Sequence, residues 1–128
     1  MKKEKGIMYK KILMAEDSAS VRMLMTKALA GAGYDVIEAR DGEEALEHMR
    51  SAPFDMLITD LNMPRMDGIN LIRTVRQIDG NRFLPIIMLT SEGDEASRQR
   101  GRKAGASSWI VKPFKSEQLL QLVRTVLV

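Results

Sequence analysis

Cysteine is absent from all 128 residues. That excludes a disulfide framework and a thiolate metal site. There is one histidine, so a metal centre here would be built from oxygen ligands. Aromatics are few (one tryptophan, two tyrosines and three phenylalanines) and are not interleaved with basic residues as in a nucleic-acid surface. No apolar run approaches the ~20 residues that cross a bilayer. The start, Met1-Lys2-Lys3-Glu4-Lys5-Gly6-Ile7, lacks the apolar segment of a signal peptide. The expected location is therefore cytoplasmic, with no membrane association. No internal repeat and no low-complexity stretch is present.

What is there suits one ordinary domain. Apolar residues make up 45% of the chain, enough for a sizeable core. Residues 1–9 read as a flexible N-terminal tail, with Met8 a possible start, and residues 10–128 as the domain. Twenty Lys and Arg against seventeen Asp and Glu give a net charge of +3. The excess lies mostly in Lys2, Lys3, Lys5, Lys10 and Lys11 and in the Arg98 to Lys103 stretch. A balance this mild predicts no direct nucleic-acid binding.

The alternation of short apolar runs with helical periodicity organises the rest. Lys11 to Ala15 is an apolar run ending at Glu16-Asp17, as a strand buried on both faces ends. Ser18 can cap a helix with Val21, Leu24, Met25, Ala28, Leu29 and Ala32 turned inward, stopped by Gly33. Tyr34 to Ala39 alternates and predicts a more exposed second strand. Asp41, with Glu44 three residues on, caps a helix carrying Ala45, Leu46 and Met49 and ending at Pro53. Phe54 to Asp60 is the third strand, broken by the Asp67-Gly68 turn. Ile69, Leu71, Ile72, Val75 and Ile78 suggest a third helix, closed at Asp79-Gly80-Asn81. Pro85 to Thr90 is a nearly all-apolar fourth strand, and Trp109 to Val111 a fifth. The last helix begins at Ser116 and turns Leu119, Leu120, Val123 and Leu127 inward. Between Ser91 and Ala106 a fourth helix is expected with little to anchor it, and Gly101 costs it about 1 kcal/mol relative to alanine. Strand–helix repeated five times requires an α/β, doubly wound, mostly parallel sheet. Ligands of such sheets bind beyond the carboxyl ends of the strands.

Those ends carry the chemistry. The first strand delivers Glu16 and Asp17, the third Asp60, the fourth Thr90 and the fifth Lys112. The second offers only Arg40 and Asp41 and is expected at the sheet edge, away from the site. Each residue alone has a plain structural explanation, as turn-former, helix cap or solvated lysine. Five such residues from four strand ends on one rim are a constellation. Three close carboxylates suppress one another's ionisation unless a cation sits among them. Oxygen ligands favour a hard ion, with Mg2+ the first choice. Lys112 can oppose a phosphoryl oxygen, Thr90 can donate to another, and Asp60 is placed as a nucleophile that forms an acyl phosphate.

Met14-Ala15-Glu16-Asp17-Ser18, the Asp60-Leu61-Asn62-Met63-Pro64-Arg65-Met66-Asp67-Gly68 loop, Leu89-Thr90-Ser91 and Lys112-Pro113-Phe114 together resemble the receiver domain of two-component response regulators. The resemblance runs from Lys10 to Val128. It implies a flavodoxin-like sheet of five parallel strands in the order 2-1-3-4-5 with five helices. It implies Asp60 as phosphoacceptor. Glu16, Asp17, Asp60 and the backbone carbonyl of Asn62 would hold Mg2+, and Thr90 and Lys112 the phosphoryl group. A cis peptide is implied before Pro113, and a phosphohistidine of a sensor histidine kinase as donor. Asn62 and Glu92 stand where the family tunes phosphoryl lifetime and resemble the chemotaxis members that act on the flagellar motor switch. Trp109 replaces the usual tyrosine or phenylalanine, either as a ring that moves inward with Thr90 or as one packed permanently beside the last helix.

The resemblance also implies no enzyme in the ordinary sense, only self-phosphorylation and dephosphorylation. The chain closes with its fifth helix, so a single-domain regulator is expected, with an output protein docking on the helix 4, strand 5 and helix 5 face. Arg98, Arg102 and Lys103 there could meet an acidic partner or simply face water. A phosphorelay intermediate and a receiver cut from a longer regulator are the alternatives. An Mg2+-dependent phosphatase of the haloacid-dehalogenase kind is disfavoured by Asn62, where a second acid is needed. A flavin or nucleotide binder is disfavoured by the missing glycine-rich cradle after the first strand.

Overall fold

A computed structural model describes residues 9–91 and 95–127. Five strands alternate with five helices: β1 (Lys11–Ala15), α1 (Ala19–Gly31), β2 (Asp35–Ala39), α2 (Gly42–Ser51), β3 (Met56–Asp60), α3 (Gly68–Arg76), β4 (Ile86–Thr90), α4 (Glu95–Ala104), β5 (Ser108–Val111) and α5 (Ser116–Val126). All pairings are parallel and the order is β2-β1-β3-β4-β5, as expected. β3 and β4 are buried along their whole length, which their unbroken apolar sequences require. β2 at the edge is half-exposed.

Strand alternation divides the core into two layers. On one face Leu13, Leu57, Ile86 and Met88 pack against α2, α3 and Ala104 of α4. On the other Ile12, Met14, Ile58 and Leu89 pack against Met25 and Leu29 of α1 and Leu119 and Val123 of α5.

The helix caps follow the sequence signals. Ser18 accepts from the Val21 amide, Asp41 from Glu44 and Asp67 from Asn70. Gly33 adopts φ +97 just past the end of α1, the left-handed conformation that stops a helix there. Two expected inward residues of α1 are not buried. Leu24 is 54% exposed and Ala32 is exposed, because the helix rests on the sheet along Met25 and Leu29 and rolls its neighbours outward. α3 stops at Arg76, short of Ile78. α4 buries only Ser97, Gly101 and Ala104, so it is as lightly anchored as its sequence suggests. Its glycine has a reason: a Cβ at Gly101 would lie 2.5 Å from the Met88 Cε, so the helix approaches β4 closely there.

A tighter constraint holds the loop after β3. A Cβ on Gly68 would fall 2.1 Å from the Asp60 carbonyl oxygen and 3.0 Å from the Leu61 Cα, both backbone atoms that cannot step aside. Gly68 also donates its amide to the Leu61 carbonyl at 2.8 Å. Gly68→Ala is expected to cost about 2–3 kcal/mol through overpacking. Urea unfolding measures this; a cost no larger than the few tenths of an ordinary surface change contradicts the close approach.

Candidate functional site

The carboxyl ends of β1, β3, β4 and β5 lie side by side by register. Ala15 pairs with Thr59, Asp60 with Leu89, and Thr90 with Val111. The chain leaves β5 with the Lys112 amide donating to the Thr90 carbonyl at 2.7 Å, and turns through a cis Lys112–Pro113 bond. The Lys112 side chain reaches back over the end of the sheet. Its Nζ lies 2.7 Å from Glu16 Oε1 and 2.9 Å from Asp60 Oδ2.

Glu16, Asp17 and Asp60 each present an oxygen within 4.8 Å of the others. Glu16 is fully buried, Asp60 is 6% exposed and Asp17 is exposed. Glu16 is held firmly: its Oε2 accepts from the Ser18 amide at 2.9 Å, and its backbone carbonyl accepts from Arg22 Nη1 at 2.7 Å. Arg22 is itself tied to Glu38 at 3.2 Å. Glu16 Oε1 contacts the Lys112 ammonium but receives no aligned hydrogen bond. It is a buried oxygen with lone-pair capacity to spare.

Electrostatics make the cluster incomplete. With all three carboxylates ionised, one ammonium leaves two negative charges uncompensated in a mostly buried site. Burial, the largest influence, pushes the Glu16 carboxyl above its ordinary range; Lys112 and the Ser18 amide pull the other way, and the Asp60 charge adds to the rise. Burial alone would lower the Lys112 ammonium, but its ion pairs with Asp60 and Glu16 outweigh this and hold it above its usual value. A divalent cation fits: it supplies the missing charge, the donors are all oxygens, and buried Glu16 Oε1 has the Lys112 ammonium beside it but no aligned hydrogen bond. The residues present could therefore hold such an ion between Glu16, Asp17 and Asp60.

Most of the expected constellation is assembled. Thr90 is fully buried at the end of β4. Asn62 lies exposed in the β3–α3 loop, two residues past Asp60. Glu92 lies outside the described residues. Trp109 departs from one of its two readings: it does not sit beside the last helix. Its half-buried ring packs on the α2–α3–α4 layer, with the Arg98 guanidinium 5.0 Å and that of Arg102 5.4 Å from its centroid. Neighbouring Ile110 takes the α5 side instead, as period-two alternation on a strand demands.

Two other expectations change. Arg98 and Arg102 are not simply solvated cations; both lie over the indole. β2 lies at the sheet edge, as expected, yet Asp41 at its end is tied to the loop that follows Asp60. Its Oδ2 pairs with Arg65 of the β3–α3 loop at 2.7 Å. The Glu44 amide, and then Arg65, hold the Asp41 carboxyl below its ordinary range. Neither this pair nor the role of Arg22 has a periodicity or spacing that announces it.

Residues 12–124 match the family model of the response regulator receiver domain. The chemotaxis protein CheY1 of Helicobacter pylori is 40% identical over 119 residues, covering 91% of this chain and 96% of that protein. The transcriptional regulatory protein ResD of Bacillus subtilis is 38% identical over 117 residues, covering 91% of this chain and 48% of that protein. The chain thus spans about half the length of several curated relatives it matches. Among solved structures, the chemotaxis response regulator CheY4 of Vibrio cholerae superposes with a TM-score of 0.91 at 42% identity, covering 94% of this chain and 100% of that one. The receiver domain of the sensor histidine kinase PA1611 from Pseudomonas aeruginosa, which has a magnesium ion coordinated in its active-site cleft, superposes with a TM-score of 0.87 at 27% identity, covering 94% of this chain and 98% of that one.

The raised Glu16 carboxyl has a consequence for pH. In the metal-free protein it binds its proton more tightly folded than unfolded. Its stabilising contribution is full below the ordinary value of 4.5 and is lost as the pH rises through the raised folded value. Metal binding needs the ionised form. Millimolar Mg2+ is expected to raise the melting temperature clearly at about pH 8 and much less at about pH 5, the latter near the ordinary carboxylate range. Equal increments at both, by scanning fluorimetry, contradict this arrangement.

Proposed function

The chain belongs to the response regulator receiver domain family, and on that premise we propose that Asp60 is the phosphoacceptor of a phosphorylation-activated switch supplied by a sensor histidine kinase. The single observation that carries this reading is Lys112 Nζ, which lies 2.9 Å from Asp60 Oδ2 and 2.7 Å from Glu16 Oε1 beside exposed Asp17. A nucleophilic carboxylate, a cation to follow the transferred charge and an acidic cradle for a divalent ion meet at one point.

Glu16, Asp17 and Asp60 would hold Mg2+, with the Asn62 backbone carbonyl as a further ligand. When bound, Mg2+ neutralises charge on the transferring phosphoryl group. An Asp60 carboxylate oxygen attacks phosphorus, the P–O bond forms, and the P–N bond to the donor histidine breaks with its electron pair left on the imidazole. Lys112 shifts from Asp60 Oδ2 to a phosphoryl oxygen. Thr90, buried on the next strand, donates its hydroxyl to another. Asn62 and Glu92 tune how fast water removes the group. The chain acts on no other substrate; it promotes its own phosphorylation and dephosphorylation in the cytoplasm.

Output follows from the lightly held element. α4 buries only Ser97, Gly101 and Ala104, and its Arg98 and Arg102 lie over Trp109. When Thr90 turns toward the phosphoryl group, the indole follows and α4 shifts, changing the α4, β5 and α5 face for a protein partner. The match to CheY1 over 96% of that protein supports a regulator of the chemotaxis kind. The match to half of ResD favours a second reading, in which the same receiver drives a further output domain.

Three outcomes test this. Asp60→Asn is expected to abolish Mg2+-dependent phosphorylation by acetyl phosphate; label retained in that variant sinks the assignment. Lys112→Ala should keep Mg2+ affinity within about threefold, since lysine is no ligand, while removing the response to beryllofluoride; a collapse of Mg2+ affinity overturns the division of roles. The only tryptophan reports the switch: beryllofluoride with Mg2+ should change its emission and quenching, and an unchanged spectrum rules out ring movement.

A further inference from the structure

The loop that follows Asp60 is fastened from outside the site. Its fastening joins two elements that share no strand pairing, β2–α2 and β3–α3. Arg65 is the one described non-glycine residue with positive φ, at +67. An arginine enters that region only at a cost, and persists there when its surroundings hold it. What holds it is Asp41. Arg65 Nε and Nη2 both reach Asp41 Oδ2, at 2.8 and 2.7 Å, in a forked contact. Asp41 is itself 6% exposed, and its other oxygen accepts the Glu44 amide at 2.9 Å as the cap of α2.

The next residue locks into the same corner. Met66 lies against Gly42, where a Cβ would stand 2.4 Å from the Met66 carbonyl oxygen and 2.7 Å from its Cβ. Met66 also donates its amide to the Pro64 carbonyl at 2.7 Å, closing the turn. From there the chain returns to the site: Gly68 presses on the Asp60 carbonyl, which also accepts from Thr59 Oγ1 at 3.0 Å. The path of residues 61–67 is thus pinned at its ends by Asp60 and Gly68 at the site, and between them by Asp41 and Gly42 outside it.

We infer that Arg65 and Asp41 form a clasp that sets the course of the β3–α3 loop, and through it the metal affinity of the acidic cluster. They are positioning residues; neither touches the ion or the phosphoryl group. An exposed ion pair alone is worth little. Here one partner is a buried cap and the other is held in an unfavourable backbone region, so breaking the pair frees the loop rather than a side chain. The inference rests on the reading of Glu16, Asp17 and Asp60 as an Mg2+ centre.

Two variants and their combination test it. Arg65→Gly removes the guanidinium and relaxes the positive φ, so it adds no strain. Asp41→Asn keeps an oxygen for the Glu44 amide and removes the charge that Arg65 grips. Each is expected to weaken Mg2+ binding about tenfold by calorimetric titration, the usual effect of losing a group behind a metal ligand. Each should also speed amide exchange at Asn62, Met63, Arg65 and Met66 in the metal-free protein. The double variant should bind no more weakly than the worse single one, because both remove the same contact. Mg2+ affinities within twofold of the unmodified protein, or losses that add in the double variant, overturn the clasp. An unmodified protein that takes up no Mg2+ overturns the metal reading as well.

Discussion

Three carboxylates and one ammonium meet where the sheet ends, and the surrounding architecture serves that imbalance. Glu16, Asp60 and Lys112 are brought within 2.9 Å contacts by three different strands, none of which could supply the group alone. The buried excess of negative charge is tolerable because Lys112 lies between two of the acids and because Asp17 remains open to water. It also makes the site responsive. A divalent ion or a phosphoryl group arriving there changes the charge that Lys112 and Thr90 must satisfy, and both sit on strands that carry the weakly anchored side of the molecule.

Rigidity is distributed to match. The elements behind Asp60 are fixed by close backbone packing at Gly68, by the doubly buried β3 and β4, and by Arg22 on the Glu16 carbonyl. α4 is different: its interior consists of small residues, and Gly101 lets it lie low on Met88. On the β5 side its Arg98 and Arg102 guanidinium groups lie over Trp109. Movement at the acidic site would have compliant α4 to reach and several stiff elements to push against.

The fold and the site were legible to different depths. Asp60, Glu16, Asp17 and Lys112 could be read because each closes a short apolar run, and parallel strands bring such ends together whatever lies between. Leu24 could not: helical periodicity gives a face about four residues wide, and only packing decides which edge of it meets the sheet. The apolar run around Trp109 marks a strand, but its neighbour depends on which way the strand alternation falls, and that sets it beside α4. Asp41 looked like a cap and is one. Its grip on Arg65 depends on a positive φ that no arginine advertises.

The central claim is that Asp60 carries the phosphoryl group as a carboxylic–phosphoric anhydride. Borohydride reduces such an anhydride to an alcohol, converting the labelled aspartate to homoserine in place. Protein phosphorylated by acetyl phosphate with Mg2+, reduced and mapped by peptide mass spectrometry, is predicted to show homoserine at Asp60. Homoserine at Asp17, or phosphate on the single histidine, His48, with Asp60 unaltered, would contradict the account.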